Sequence, residues 1–266
     1  MKKAFALIFL FFFNTVFSKG VVSLLPSITE IIIEYGKGKS LVAVSDYSVL
    51  PEGFNVERIG SLYNLNVEEL IKLNPDIIFA EVSYKRTLSS ISVLKGRVVY
   101  LSFLNLKDVY KSYRVIGEKL GIEKDRVEKK IEKLKASINR LKTLNKCRGK
   151  RVLIILNSQS DRFYACGNNY FSEVFEKIGF KNALKTDIPY PDISYESFYK
   201  LKPDVIIILS AKKPLQPLCK RNPFKMLENC REKTVYYIYG DKVLHAGSGL
   251  NDMLSQVEDK LNLCFK

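Results

Sequence analysis

The sequence predicts an α/β protein of two Rossmann-like lobes, joined by one long bridging α-helix, with a ligand cleft between the lobes. Three observations lead to this prediction. Short β-rich runs alternate with amphipathic stretches in both halves of the 266-residue chain, as in parallel α/β layers. The segment VEELIKLNPDIIF, which begins at Val67, returns as YESFYKLKPDVII at Tyr195. Between the two halves, residues 106–146 carry no strand signal.

Each half supplies the elements of one lobe. In the first half we predict a helix over residues 27–36 and strands over 21–25, 40–45, 76–80 and 97–102. In the second half we predict strands over 151–157, 204–210 and 234–239 and helices over 169–180 and 251–264. In both halves the repeated segment is predicted to form a short helix, capped by Asn66 or Ser194, which a proline stops before the next strand.

The region between the lobes is predicted to be helical. Gly121 divides it into two helices, and the second runs from about Glu123 to Asn145. Apolar residues recur in this second helix at a spacing of three to four, at Val127, Ile131, Leu134, Ile138 and Leu141. At about 1.5 Å per residue the helix would be about 34 Å long, enough to cross from one lobe to the other.

The first eighteen residues have the features of a secretory signal peptide. Lys2 and Lys3 precede the apolar run AFALIFLFFF, which is short for a membrane span, and VFS places small residues at the cleavage spacing. An uncleaved anchor is the alternative. No cysteine precedes Cys147, so we expect a periplasmic protein that is not lipidated. The predicted units are a signal peptide (1–18), an N-terminal lobe (19–105), a helical linker (106–146) and a C-terminal lobe (147–266).

The strong positive charge does not by itself indicate a nucleic-acid partner. The formal charge is +15, but predicted export argues against nucleic acid, and Lys alternates with Glu over residues 123–142 instead of forming a basic block. The first interpretation is a solvated, ion-paired surface, such as that of a thermophile. Attraction to an anionic ligand or an anionic membrane face is the second interpretation.

The motifs of common enzymes and metal sites are missing from the sequence. It contains no GxGxxG before a helix, no GxxxxGK[ST], no GxSxG and no CxxC. A single His leaves little room for Ser/His/Asp catalysis or a His-based zinc site. We therefore expect no enzyme, no cofactor and no bound structural metal, and keep a two-lobed cleft enzyme as the remote alternative. Five cysteines leave at least one unpaired within the chain, and we pair Cys219 with Cys230.

Loops that follow the predicted strands are expected to line the cleft, because ligands bind beyond the carboxyl ends of strands in such sheets. These loops are 26–29, 46–49, 81–85, 158–166 and 240–247. Tyrosines lie in or beside the cleft at four places, namely Tyr47, Tyr63, Tyr164 and Tyr190. Any one of them is equally well explained as a half-buried tyrosine with a satisfied hydroxyl. Together they favour an aromatic-lined cleft for a large flat or amphipathic ligand.

Two long segments resemble a known family. Residues 21–81, which include VVSLLPSITEIIIEYG and SDYS, are similar to the N-lobe of periplasmic binding proteins for cobalamin, haem and ferric siderophores. PYPDISYESFYKLKPDVIII, residues 189–208, is similar to the matching C-lobe segment. The resemblance implies the substrate-binding component of an ABC importer. Its partner would be a permease dimer in the inner membrane, and we expect a monomer that binds no nucleic acid.

The pattern is most similar to cobalamin binders, with haem or ferric-siderophore binding as the alternative, so the implied ligand is a metal-containing macrocycle or chelate. In that family aromatic side chains hold the corrin from both lobes, and the four tyrosines match these positions. The chain departs from the pattern in having no Trp. Glu81 replaces an aromatic residue and His245 replaces an Arg, and we expect both to contact the ligand.

The resemblance also gives a function to the repeated segment. In the family one surface Glu of each lobe pairs with Arg on the two symmetry-related permease subunits, and Glu68 and Glu196 match these positions. A simpler explanation is that acids in a first helical turn are favoured by the helix dipole. That explanation accounts for each Glu alone but not for the same segment in both lobes.

Overall fold

The computed structural model describes residues 20–156 and 163–261. Within these residues the strands are β1 (Val21–Ser23), β2 (Leu41–Val44), β3 (Glu57–Arg58), β4 (Ile77–Glu81), β5 (Val98–Leu101), β6 (Arg151–Leu156), β7 (Phe163–Ala165), β8 (Lys181–Asn182), β9 (Asp192–Ile193), β10 (Val205–Ser210) and β11 (Val235–Tyr239). The α-helices are α1 (Pro26–Glu34), α2 (Val67–Leu73), α3 (Lys85–Leu88), α4 (Leu106–Lys119), α5 (Lys124–Leu144), α6 (Tyr170–Ile178), α7 (Tyr195–Leu201), α8 (Glu228–Arg231) and α9 (Gly249–Leu261). The predicted signal peptide lies outside the described residues.

The N-terminal lobe contains a five-stranded parallel sheet in the order β3-β2-β1-β4-β5. The central strands β1, β2 and β4 are short, largely apolar and mostly buried, as parallel strands covered on both faces must be. The edge strand β3 is charged and exposed. One face packs on α1 and α4 through Ile28 and Phe79, and the other forms a second core around Val22 and Leu70. All strands point the same way, so their carboxyl ends share one edge.

The C-terminal lobe departs from the all-parallel prediction. Its sheet has the order β11-β10-β6-β7-β9, with β8 beside the start of β6. β6, β10 and β11 are parallel, but β7 is antiparallel to both of its neighbours. The sequence placed β7 inside the predicted loop 158–166, because three residues carry too little pattern to mark a strand. Residues 157–162 of that region lie outside the described part of the chain.

The bridging helix is present as predicted. α5 has 21 residues and is therefore about 31 Å long. Its buried side chains are the five apolar residues that the sequence placed on one face, Val127, Ile131, Leu134, Ile138 and Leu141. α5 packs against α4 near its start and against α6 and α9 of the C-terminal lobe. Near its end, the Asn145 side chain donates to the Ile178 carbonyl (3.2 Å).

The repeated segment forms the same unit in both lobes. α2 and α7 each end in a residue with left-handed backbone, Asn74 (φ 46°) and Lys202 (φ 42°), and a proline follows each. Asn66 caps α2 as predicted, accepting from the Glu69 amide at 3.0 Å. Ser194 occupies the cap position of α7 but makes no side-chain cap bond. Its hydroxyl donates to the carboxylate of Glu196 instead.

Two further findings concern the cysteines and the lengths of the helices in the described part of the chain. Cys219 and Cys230 form a disulfide, as the sequence suggested, and Cys147 is disulfide-bonded as well. Cys166 is free and buried. Among residues 20–156 and 163–261, no helix has both the length and the apolar character required to span a bilayer.

Candidate ligand-binding cleft

The two lobes meet at the carboxyl ends of their sheets, where a cleft is expected. The start of α1, directly after β1, contacts the loop after β11. The Ala246 amide donates to the Ser27 hydroxyl (2.9 Å), and the His245 ring lies against Glu30. A glycine is required beside this contact, since a Cβ on Gly247 would lie 2.8 Å from the Ser27 carbonyl oxygen and from Cβ of Glu30. This contact joins the two lobes at the edge where the cleft is predicted.

In the N-terminal lobe, two tyrosines project from loops that hydrogen bonds tie together. Asp46 donates its amide to the Gly60 carbonyl (3.0 Å) and accepts the Gly60 amide on its carboxylate (3.0 Å). Arg58 donates to carbonyls of the same loop, including that of Ser48 (3.0 Å). These bonds hold the backbone that carries Tyr47 and Tyr63, whose side chains remain 73% and 96% exposed.

Local geometry fixes the backbone at both of these tyrosines. Behind Tyr47, the buried hydroxyls of Thr29, Ser45 and Ser48 form a hydrogen-bonded chain with distances of 2.9 Å. Tyr63 lies in a turn that the Asn64 side chain closes by accepting the Ser61 amide (2.8 Å). The exposed rings therefore project from backbone that hydrogen bonds hold in place.

In the C-terminal lobe, the other two tyrosines lie on neighbouring segments. Tyr164 pairs with Asp192 across β7 and β9, and Tyr190 precedes Asp192 by two residues. The Gly167 amide donates to the Pro189 carbonyl (3.0 Å), which fixes the loop that carries Tyr190. Both rings are partly exposed, at 42% and 38%. Each lobe thus presents one pair of tyrosines.

The Glu81 carboxylate, at the end of β4, contributes to the raised pKa of one tyrosine in each lobe. Burial raises the pKa of Tyr84 to about 12, and the carboxylates of Glu81 and Asp46 add to the shift. Across the cleft, burial raises the pKa of Tyr190, and the Cys166 thiol and the Glu81 carboxylate contribute further. Negative charge beside a phenol disfavours the phenolate. The structure therefore brings Glu81 and Tyr190 into the same electrostatic environment.

Glu30 is a site residue that the sequence analysis missed. Its side chain is fully buried and accepts three hydrogen bonds from the C-terminal lobe, from His245 Nδ1 (2.6 Å), Ser248 Oγ (2.9 Å) and the Gly249 amide (2.9 Å). We call these four residues the interlobe cluster. The available signal was a Glu inside the apolar helix SITEIIIE, because a buried charge requires partners.

His245 has a different principal contact from the one expected. One ring nitrogen is bound to Glu30, and the side chain is only 16% exposed. His245 therefore helps to join the lobes and can offer a ligand only its other nitrogen, Nε2. Within the described residues, no group of three or more His, Cys, Asp and Glu side chains is arranged to hold a metal ion. The segments predicted to line the cleft carry aromatic faces, phenol hydroxyls and the Glu81 carboxylate.

Known proteins share sequence features with this chain. A family model described as "Periplasmic binding protein" matches residues 21–241. The ABC transporter substrate-binding lipoprotein YvrC of Bacillus subtilis (strain 168) is 28% identical over 253 residues, which cover 91% of this chain and 80% of YvrC. The vitamin B12-binding protein of Yersinia pestis (strain Pestoides F) is 28% identical over 193 residues, covering 71% of this chain and 68% of that protein.

The fold is also that of a solved binding protein. The crystal structure of the periplasmic haem-binding protein HutB of Vibrio cholerae superimposes with a TM-score of 0.77 at 21% identity, covering 94% of this chain and 100% of HutB. This similarity confirms the predicted two-lobed α/β fold. At this level of identity it supports the fold and leaves the ligand open.

One prediction is contradicted. We expected a periplasmic protein that is not lipidated, and that expectation rested on the absence of a cysteine before Cys147. YvrC, a relative that aligns with 91% of the chain, is named a lipoprotein. The prediction is therefore withdrawn. The absence of one residue type was too weak a basis for a statement about attachment.

Proposed function

Since the chain belongs to the periplasmic binding protein family, we propose that it is the substrate-binding component of an ABC importer and captures a cobalamin-type corrinoid. This family consists of solute-binding proteins rather than enzymes. The observation that carries the proposal is the pair of ordered tyrosines on each lobe: Tyr47 and Tyr63 on one, Tyr164 and Tyr190 on the other. An aromatic cleft of this kind suits a large, flat, amphipathic molecule.

Stacking explains how such a cleft would hold a macrocycle without reacting with it. An aromatic ring contributes about 0.5–1.5 kcal/mol beyond the apolar area that it buries. Tyrosine also leaves a hydroxyl at the edge of the ligand, where polar side groups of a corrinoid lie. The similarity to the Yersinia vitamin B12-binding protein supports a corrinoid over other macrocycles.

Haem is the second candidate, and one observation favours it. The fold is shared with a haem-binding protein, and tyrosine oxygen is a known axial ligand of haem iron. The partly exposed hydroxyls of Tyr164 and Tyr190 are then the groups to consider as iron ligands. The raised pKa of Tyr190 opposes phenolate formation in the empty cleft, so iron binding there would have to displace a proton.

The test is to titrate the protein separately with cobalamin, haem and a ferric siderophore. Binding is followed by visible absorption, and the recovered ligand is identified by mass spectrometry. We expect saturable binding of cobalamin that weakens about three- to tenfold in Tyr63→Ala and in Tyr190→Ala, from the stacking energy of one ring. Tyr199→Ala is the matched control, because Tyr199 is 39% exposed on α7, compared with 38% for Tyr190.

The possible results separate the candidates. If haem showed a Soret shift when mixed with the protein and cobalamin did not bind, haem would become the proposed ligand in place of a corrinoid. Equal affinity in both cleft variants and the control would remove the tyrosines from the site. Chemical conversion of any of the three ligands would contradict the assignment as a binding protein.

Delivery to the permease completes the proposed function. Glu68 on α2 and Glu196 on α7 are both exposed and begin equivalent helices in the two lobes. The Ser194 hydroxyl and a backbone amide hold the pKa of Glu196 below its usual value, so its carboxylate is charged at pH 7. These residues are the proposed contacts with the permease.

A further inference from the structure

Residues 211–227, which connect β10 to α8, form an unusually basic surface segment. This segment, AKKPLQPLCKRNPFKML, contains five Lys or Arg residues and no Asp or Glu. We call it the basic loop. Elsewhere the chain mixes its charges, as on α5, where Asp125, Glu128 and Glu132 lie among the lysines. A concentration of five cations without an acid in the same 17 residues favours a local positive field.

The basic loop is also anchored firmly to the lobe. Leu218, Phe224 and Leu227 are buried in the core on one face of the C-terminal sheet. A disulfide joins Cys219, inside the loop, to Cys230 in α8. The guanidinium of Arg221 lies 5.2 Å from the Phe163 ring and 5.6 Å from the Phe224 ring. The exposed side chains of the loop are therefore presented on a fixed backbone.

The basic loop also carries apolar side chains that are exposed to solvent. Leu215 is 100% exposed and Met226 is 67% exposed. Lys212, Lys213 and Lys220, which lie within five residues of Leu215 in the sequence, are exposed as well. Full exposure of a Leu is costly in water, and its combination with surrounding cations is the chemistry of segments that lie in the headgroup region of a bilayer.

The position of the loop in the lobe indicates which surface of the protein carries these cations and Leu215. Lys212 and Lys213 follow the carboxyl end of β10, on the edge of the sheet where α7 begins. Tyr195, the first residue of α7, packs its ring 5.2 Å from that of Phe224. The basic loop thus lies beside Glu196, the proposed contact with the permease, and on the edge that would face the membrane when the protein delivers its ligand.

From these observations we infer that the basic loop is a membrane-contact surface that binds the anionic headgroups of a lipid bilayer, with Leu215 entering the interface. Its cations lie next to anionic lipid phosphates, and each Lys near such a surface strengthens binding by about fivefold at low salt. The orientation assigned to the loop rests on the proposed delivery to a permease. The lipid contact itself requires neither the permease nor the cleft ligand.

The test measures binding of the full chain to vesicles of phosphatidylglycerol and phosphatidylcholine, with pure phosphatidylcholine vesicles as the reference. We expect binding to the anionic vesicles that falls at least tenfold in Lys212→Gln/Lys213→Gln/Lys220→Gln. The control, Lys124→Gln/Lys129→Gln/Lys142→Gln, removes the same charge from α5 and should change binding less than twofold. All variants share the same amino-terminal residues, so differences between them report the loop alone.

A second pair of variants tests the apolar contact. Leu215→Ser should weaken binding about three- to tenfold, whereas Val93→Ser should have no effect. Val93 is 58% exposed and precedes β5, at the opposite edge of its sheet. If the loop and α5 triple variants lost vesicle binding to the same extent, net charge alone would explain the binding. That result would overturn the proposal. The proposal would also be overturned if vesicle binding did not depend on the anionic lipid. The same holds if a loop variant bound vesicles normally and was impaired only in association with the permease.

Discussion

At the scale of single residues, the contact between Glu30 and His245 has the largest consequences. The two side chains are 215 positions apart in the chain, and Glu30 is completely buried. A buried carboxylate is tolerated only when donors surround it, and three donors from the other lobe supply this. The cluster therefore couples the stability of the chain to the correct docking of the two lobes.

Replacing Glu30 by Gln should destabilise the protein. Gln keeps the volume but turns one acceptor oxygen into an NH₂ group, which then faces a donor. We expect the free energy of unfolding to fall by about 1–3 kcal/mol, measured by urea denaturation. Glu118→Gln, on the exposed side of α4, is the control and should change it by less than about 0.5 kcal/mol. Equal stability of both variants would show that the interlobe cluster contributes nothing.

Glu34 should make stability depend on pH. Burial raises its pKa above the ordinary value of 4.5, partly offset by Lys130 and by the Tyr113 hydroxyl, which donates to it at 3.1 Å. The folded state therefore holds this proton to higher pH than the unfolded state, and the contribution of Glu34 to stability falls as pH rises through that window. In Glu34→Gln the decline should disappear, so the variant gains on the wild type in urea titrations as the pH rises above the ordinary pKa of 4.5. A difference that stays constant as the pH rises would contradict this.

At the scale of elements, strongly periodic segments were predictable and very short ones were not. The five buried residues of α5 followed from their spacing alone, because a 21-residue helix repeats its pattern many times. β7 and β9 have three and two residues. Their antiparallel pairing depends on contacts with β6 that no local pattern encodes.

The two repeated helices allow a matched test of their ends. Lys202 adopts a left-handed conformation that costs a side chain about 1–2 kcal/mol, more than the flexibility that glycine adds to the unfolded chain. Lys202→Gly should thus raise the free energy of unfolding by about 0.5–1 kcal/mol. Asn74→Gly should lower it, because Asn tolerates this conformation and its side chain accepts a hydrogen bond from Arg97. Thermal or urea denaturation of both variants checks the opposite signs.

At the scale of the whole molecule, the sequence predicted the arrangement of lobes better than the details of the cleft. The repeat and the helical linker were enough to place two similar lobes on either side of α5. The four tyrosines were located from the ends of predicted strands, and the structure groups them in two pairs. The interlobe cluster and the position of His245 depend on how the lobes meet, which periodicity within either half cannot show.

Closure on ligand binding should be small. α5 runs without a break between the lobes, and the interlobe cluster is a second connection between them. A continuous packed helix resists the large changes in backbone angles that a hinge requires. We expect X-ray scattering profiles with and without bound ligand to superimpose. Glu30→Ala removes the carboxylate that accepts the hydrogen bonds of the interlobe cluster. In this variant the scattering of the ligand-free protein should indicate a wider range of distances between the lobes. A marked decrease in the radius of gyration of the wild type on binding would contradict this prediction.

Docking to a permease gives a reason for the repeat at this same scale. A two-fold symmetric partner is best met by offering the same contact from each lobe, and Glu68 and Glu196 begin equivalent helices. Exposed charges of this kind orient a complex more than they strengthen it, and salt screens them. Glu68→Ala/Glu196→Ala should therefore keep full affinity for the ligand while permease association and uptake fall at low salt, and the difference should shrink as salt is added.

The matched control for docking removes two exposed glutamates elsewhere, Glu118→Ala/Glu232→Ala. It removes the same number of negative charges as the docking double variant, so it separates the two positions from a general charge effect. Each single docking variant should lose part of the association, because each lobe supplies one of two equivalent contacts. If the docking double variant still supports full transport, or if the control loses as much, then Glu68 and Glu196 act only as acids in a first helical turn, where the helix dipole favours them.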